Sequence, residues 1–209
     1  MRNVRIIFTK KDRLKFLSHL DMNRFMTRVL RRSKMPIWYT EGFNPHPYVT
    51  FALPLSLGFE SEYEVMDIRI EDDSFSNADV KKSLEKAMPE YIKIIDVFDP
   101  VLKPGKIAFA KFLAEFISSE QLEIVNNIYS LDEIAVEKRG KKGKVSVIDL
   151  KPHIKELKTY EKDGRFFAEI TLPAGGDCNI NPTLFFGNVS SDCIITRLAI
   201  LDADGNLFR

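Results

Sequence analysis

Val4-Arg5-Ile6-Ile7-Phe8-Thr9, followed after a polar stretch by Ser18-His19-Leu20-Asp21-Met22-Asn23-Arg24-Phe25-Met26-Thr27-Arg28-Val29-Leu30, is the part of the chain that decides its fold. The first piece is short, β-branched and aromatic, as a strand packed on a core requires. The second opens on a serine that can cap a helix, with Asp21 three residues on as a short capping-box acid and Leu17 with Met22 placed as a hydrophobic staple. Met22, Phe25, Met26, Val29 and Leu30 recur at three- and four-residue spacing, which gathers them on one apolar face, while Arg24, Arg28, Arg31 and Arg32 fall largely opposite. Pro36 stops the helix.

Working outward, Ile37-Trp38-Tyr39 starts a strand that runs into the irregular Thr40-Glu41-Gly42-Phe43-Asn44-Pro45-His46-Pro47. Residues 48–53 and the alternating 63–70 read as strands, a helix capped by Ser76 or Asn77 runs to about Met88, and residues 91–97 form a last strand. Strand, helix, strand, strand, helix, strand is the order of a ferredoxin-like α+β sandwich. That assigns residues 1–99 to one domain, with Asp99-Pro100-Val101-Leu102-Lys103-Pro104-Gly105 as the joint. Residues 100–209 open the same way: strand 107–117, helix 119–129, strand 134–137, a basic turn and strand 144–148. A short helical piece at 152–157, a hairpin turning at Lys162-Asp163-Gly164, a loop at 173–182, a short helix and the terminal strand 194–201 follow less regularly. The expected architecture is α+β: tandem ferredoxin-like (βαββαβ) sandwiches, the second irregular.

A chain of 209 residues with 44% hydrophobic content is neither disordered, collagenous nor a disulfide-stapled miniprotein. No apolar run approaches the ~20 residues that cross a bilayer, and Met1-Arg2-Asn3-Val4-Arg5 lacks the apolar core of a secretory signal, so a cytoplasmic protein without membrane contact is expected. Cys178 and Cys193 match no zinc or iron–sulfur spacing, and no metal or cofactor is expected in this chain. The net charge of +1 conceals a segregation: residues 1–34 carry eleven Lys/Arg against two Asp, residues 60–99 twelve Asp/Glu against five Lys/Arg. Lys138-Arg139-Gly140-Lys141-Lys142-Gly143-Lys144 adds five positive charges in seven residues. Local basic clusters of this kind attract phosphates whatever the base sequence, although a solvated surface has the same composition.

Three constellations are candidates for chemistry. His19 at the helix start and His46 between two prolines, with Tyr39, Glu41 and Asn44 nearby, would form a compact polar cluster for proton transfer or phosphate contact if the helix start and the loop meet. Arg24, Arg28 and Arg31, at i, i+4 and i+7, share one ridge able to track phosphates, and Lys138, Arg139, Lys141 and Lys142 would clamp a nucleic-acid backbone. Trp38, Phe43, Tyr48 and Phe51 could stack bases, though aromatics at strand spacing are more often core. Gly175-Gly176-Asp177 with Asn179 and Asn181 offers an anion cradle or a plain turn and helix cap, and it lacks a nucleotide-binding fingerprint.

Leu17-Ser18-His19-Leu20-Asp21 with Arg24 and Arg28, then Tyr39-Thr40-Glu41-Gly42-Phe43-Asn44-Pro45-His46-Pro47 and Pro54-Leu55-Ser56-Leu57-Gly58, closely resemble the uncharacterised radical-SAM-associated domain family. Asp149-Leu150-Lys151-Pro152-His153-Ile154 and Asn181-Pro182 extend the likeness toward the C-terminus. Members of that family occur fused to, or encoded beside, cobalamin-binding radical SAM proteins, often near a ribonuclease of the E/G type and ribosomal-protein genes. The resemblance implies a partner carrying an iron–sulfur cluster, S-adenosylmethionine and cobalamin, since this chain lacks the radical SAM cysteine triad. It points to a non-catalytic accessory that binds RNA or ribosomal components. A looser likeness, of architecture alone, is to the tandem ferredoxin-like endoribonucleases that process CRISPR repeat RNA, with His46, His19 and Tyr39 as the catalytic candidates. A protein-interaction module without nucleic-acid affinity is the third reading.

Overall fold

The computed structural model describes residues 1–139, 145–176 and 178–209. They divide into two compact units, Met1–Pro104 with Arg209, and Gly105–Phe208. The chain is mixed α and β, with four α-helices among the described residues, and no described helix is long and apolar enough to cross a membrane.

In the first unit, strand β1 (Arg2–Lys10) lies between β3 (Glu60–Ile70) and β4 (Ile94–Phe98), and β2 (Val49–Phe51) takes the other edge of β3. The order is therefore β4-β1-β3-β2, antiparallel throughout. Helices α1 (His19–Ser33) and α2 (Asn77–Ala87) pack on one face. Their apolar stripes, Met22, Met26, Val29 and Leu30 on α1 and Val80 and Leu84 on α2, join Val4, Ile6, Phe8, Met66, Ile68 and Ile70 of the sheet in one core. Complete burial is worth about 1.5–3 kcal/mol for each such side chain, so the apolar stripe fixes which face of α1 points to solvent. Ser18 caps α1, accepting from the Asp21 N–H at 3.2 Å, and Ser76 with Asp79 forms a full capping box on α2.

The strand expected at 37–39 does not form. Pro36, Pro45 and Pro47 have no N–H to give to a ladder, so only isolated bridges Ile37↔Ile70 and Tyr39↔Pro47 remain, and β2 shortens to three residues. Residues 38–48 make a hairpin instead, closed by Tyr48 N–H to Trp38 O at 3.0 Å and Thr40 N–H to His46 O at 2.9 Å.

The second unit contains β5 (Phe109–Phe116), α3 (Ser119–Ser130), β6 (Ala135–Arg139), β7 (Val145–Asp149), β8 (Glu156–Lys162), β9 (Arg165–Pro173), α4 (Thr183–Phe186) and β10 (Ile194–Leu201). Its strands run β10-β5-β9-β8, again antiparallel, while among the described residues β6 and β7 pair only with each other. With β6 and β7 set aside, the order is the same permutation as in the first unit. Alternate residues of β5 (Ala110, Phe112, Ala114, Phe116) are buried with Ala168, Ile170 and Leu172 of β9. The helical piece expected at 152–157 is a single 3-10 turn, Lys151–His153, because Glu156 is already paired with Thr171 in β8. The turn at Asp163 (φ 53°) and Gly164 (φ 71°) has two left-handed residues, the geometry that matches strand twist in a two-residue hairpin.

Candidate functional site

The buried stripe of α1 leaves Arg24, Arg28 and Arg31 exposed. The nearest carboxylate contact is loose: Arg24 Nη1 stands 3.4 Å from Asp21 Oδ1, while Arg28 Nε donates to the Arg24 carbonyl at 3.3 Å. Asp21 is itself engaged by the cap, its Oδ2 accepting from the Ser18 hydroxyl at 2.7 Å. The ridge is therefore a row of guanidinium groups facing solvent at helical spacing.

The hairpin of residues 38–48 is anchored at its base. The Arg69 guanidinium lies 4.8 Å from the ring centroids of both Trp38 and Tyr48, and Trp38 N–H donates to Arg69 O at 2.9 Å. Cation–π contacts of this kind hold the two strands of the hairpin to β3. Beyond that base Glu41, Asn44 and His46 are exposed, Tyr39 is 42% exposed, and Phe43 presents its whole ring to solvent. Core burial, the commoner fate for such aromatics, thus fails for Phe43 and is only partial for Trp38, Tyr48 and Phe51, the last lying edge-on to Phe8.

His46 is held locally. Its Nδ1 is 3.0 Å from Asn44 O and 3.1 Å from Thr40 Oγ1, and its N–H donates to Thr40 Oγ1 at 3.2 Å. A proton on Nδ1 donated to the carbonyl leaves Nε2 as the basic nitrogen. His19 is exposed and meets Phe51 edge-on with ring centroids 5.3 Å apart. Among the described residues no hydrogen bond, ion pair or ring contact joins His19, His46 and Glu41. Each histidine has a local partner of its own.

In the second unit, Lys138 Nζ donates to Asn179 O at 3.1 Å, and Arg139 ends β6. Lys141, Lys142 and the rest of the basic turn, residues 140–144, lie outside the described residues, as does Asp177. Gly175 serves a close approach: a Cβ there would stand 2.5 Å from the Ile107 carbonyl oxygen. Asn181 Oδ1 accepts from the Thr183 N–H at 3.0 Å and from its hydroxyl at 2.9 Å, which is the turn-and-cap role. Cys178 and Cys193 are free, and burial pushes the Cys193 thiol upward, away from the reactive thiolate. No cluster of three or more His, Cys, Asp or Glu able to hold a metal occurs among the described residues.

Sequence patterning missed one surface feature. Phe16 and Leu20 are each 68% exposed and Leu57 63%, and a bond from Gly58 N–H to Lys15 O at 2.8 Å ties the Leu57 turn to the Phe16 segment. The signal was available: Leu20 lies four residues before Arg24, in phase with the polar ridge and out of phase with the apolar stripe.

No curated protein matches the chain. The model of a family described as an uncharacterized protein conserved in bacteria (DUF2344) matches residues 3–182, most of the chain, and the chain belongs to that family.

Proposed function

We propose that this protein binds RNA, or a ribonucleoprotein, through α1 and the hairpin of residues 38–48. In this reading it serves as a non-catalytic, cytoplasmic accessory to a separate radical SAM enzyme. The observation that carries the reading is the solvent-facing row Arg24, Arg28 and Arg31, whose closest carboxylate contact is the 3.4 Å one to Asp21. Phosphates would track that ridge, and Phe43 at the hairpin would supply an aromatic face for an unpaired base. The exposed apolar residues Phe16, Leu20 and Leu57 support docking onto the partner, which would carry the iron–sulfur cluster, S-adenosylmethionine and cobalamin. The strand orders β4-β1-β3-β2 and β10-β5-β9-β8 support reading both units as ferredoxin-like.

A salt titration of single-stranded RNA binding tests the proposal. Each phosphate contact contributes a slope of about −0.7 in log K against log salt, so the triple variant Arg24→Gln/Arg28→Gln/Arg31→Gln is expected to flatten the slope by about 2. Affinity indifferent to salt, or unchanged in the triple variant, overturns it.

His46 supports a second reading, a metal-independent endoribonuclease. Its Nδ1 is fixed against Asn44 O at 3.0 Å, the way a general base is often oriented. Incubating labelled RNA in chelator with the wild type and with His46→Ala decides it. Cleavage lost in the variant supports the enzyme, and no cleavage, or equal cleavage, removes it.

A further inference from the structure

Where the C-terminal halves of α1 and α2 come together in the first unit, they enclose an open groove of about 780 Å³. Arg32 and Lys34 line it from α1 and its cap, Lys82 and Lys86 from α2, with Ser33 and Ser83 between them. Arg32 is braced across the groove, its Nη2 donating to the Ala87 carbonyl at 3.1 Å. No carboxylate lines the groove, and among the described residues none of these four cations forms an ion pair. Asp79 and Glu85, the acids of α2, stay outside the lining, and Lys82, one turn on from Asp79, makes a minor contribution to holding that carboxyl below its usual range.

Helix ends alone do not account for the arrangement. Cations in the last turn of a helix complement its macrodipole, which explains Arg32 on α1 and Lys86 on α2. Lys82 sits one turn earlier on α2, and Lys34 lies past the end of α1 in a left-handed conformation (φ 56°). Like charges brought together from two elements repel, and a multi-oxygen anion is the partner that turns that repulsion into attraction. Arg28 and Arg32, at i and i+4, connect the groove to the exposed ridge of α1.

We infer that this groove is a second phosphate-binding site, which receives the phosphates of an RNA strand continuing along α1 past Arg31. The inference deepens the RNA-binding reading and rests on it for the source of the phosphates. Free polyphosphate carries the same chemistry and is the other source.

The experiment measures binding of a single-stranded RNA oligonucleotide across a salt series, and of inorganic tripolyphosphate by calorimetry, to the wild type and to Lys82→Gln/Lys86→Gln. Loss of two phosphate contacts is expected to flatten the RNA salt slope by about 1.4, with the melting temperature little changed. If the slope and affinity hold while the melting temperature falls, the lysines serve the helix end and the inference is overturned. If RNA binding depends on Arg24, Arg28 and Arg31 but not on the lysines, the groove proposal fails and the RNA reading stands. If the wild type binds tripolyphosphate but no RNA, and the double variant loses that binding, the RNA reading fails and the groove stands as a site for free phosphate compounds.

Discussion

Two basic runs stand side by side in the first 34 residues and meet opposite fates. In the first, Arg2 contacts Asp99 at 2.6 Å, Arg5 forks onto Asp67 with two bonds of 2.7 Å, Lys10 donates to Leu17 O at 3.0 Å, and Lys11 reaches Glu62 at 2.7 Å. In the second, on α1, Arg24, Arg28 and Arg31 face solvent, Arg32 donates to the Ala87 carbonyl at 3.1 Å, and among the described residues the ion pair these cations make is the 3.4 Å contact of Arg24. Charge density in the sequence is alike. The difference is geometric: β1 lies against β3 in a register that sets Arg5 opposite Asp67, whereas the polar face of an amphipathic helix has no neighbouring element to neutralise it. Among the described residues the acidic segment 60–99 thus pairs with the strand run and not with the α1 ridge, the asymmetry on which the RNA-binding proposal rests.

The sharpest way to break this comparison is Asp67→Ala. Arg5 is fully buried and Asp67 only 14% exposed, and removing one partner of a buried pair typically costs about 3–5 kcal/mol. Denaturant unfolding should show a loss of that size with the slope against denaturant unchanged. A loss under about 1 kcal/mol would mean that the pair behaves as a surface contact and that strand and helix cations do not differ as described.

How far these features could be read in the sequence depends on how local their causes are. The strand at Val4–Thr9, the helix with its apolar stripe, and the turn at Asp163-Gly164 follow from periodicity, capping and turn chemistry within a few residues, and each is present. Strand pairing is not local. Residues 134–137 and 144–148 follow strand and helix as in the first unit, yet they form β6 and β7, which among the described residues pair only with each other, and it is β8 and β9 that continue the sheet from β5. Nothing in an alternating pattern names its partner strand. The arginine ridge was legible because i, i+4, i+7 is a helical period, while the groove was not. Lys82 and Lys86 lie in a net-acidic segment, and only the packing of α2 on α1 brings them beside Arg32.

Capping sharpens the comparison on the acidic side. Asp79 holds no cation in an ion pair among the described residues; the Ser76 hydroxyl at 2.6 Å and the Ser76 N–H at 3.1 Å are what keep its carboxyl below the usual range, with Lys82 adding the smallest contribution. Ser76→Ala removes a helix cap and is expected to cost about 1 kcal/mol. Because the folded-state value is depressed, the stabilisation is present above the ordinary aspartate pKa and fades as pH falls through the lowered one. Thermal melts of the wild type and Ser76→Ala should therefore draw closer in acid without meeting, because the Asp79 N–H to Ser76 Oγ bond at 3.2 Å does not titrate. A gap that widens toward low pH would show that Asp79 is not the group responsible.

A smaller effect is expected for Lys11 and Glu62, exposed by 41% and 50%. A double-mutant cycle should return a coupling of about 0.2–1 kcal/mol, reduced by added salt. Coupling above about 2 kcal/mol would place this pair with Arg5 and Asp67, and the contrast within the strand run, between the buried fork and its exposed neighbours, would disappear.

The smallest expected change in stability belongs to the α1 arginines, and there the comparison is decided. Neutralising Arg24, Arg28 and Arg31 removes one loose contact to Asp21 and the favourable placement of Arg31 near the helix C-terminus, but it also relieves like-charge repulsion at i, i+4. These contributions are each a few tenths of a kcal/mol and of opposite sign, so the triple Gln variant should unfold within about 0.5 kcal/mol of the wild type. If it instead destabilises the protein by an amount comparable to Asp67→Ala, the ridge has structural partners and is not a reserve of unpaired charge. Unchanged unfolding together with a flattened RNA salt slope would separate the two roles: cations on β1 hold the fold, and cations on α1 hold a ligand.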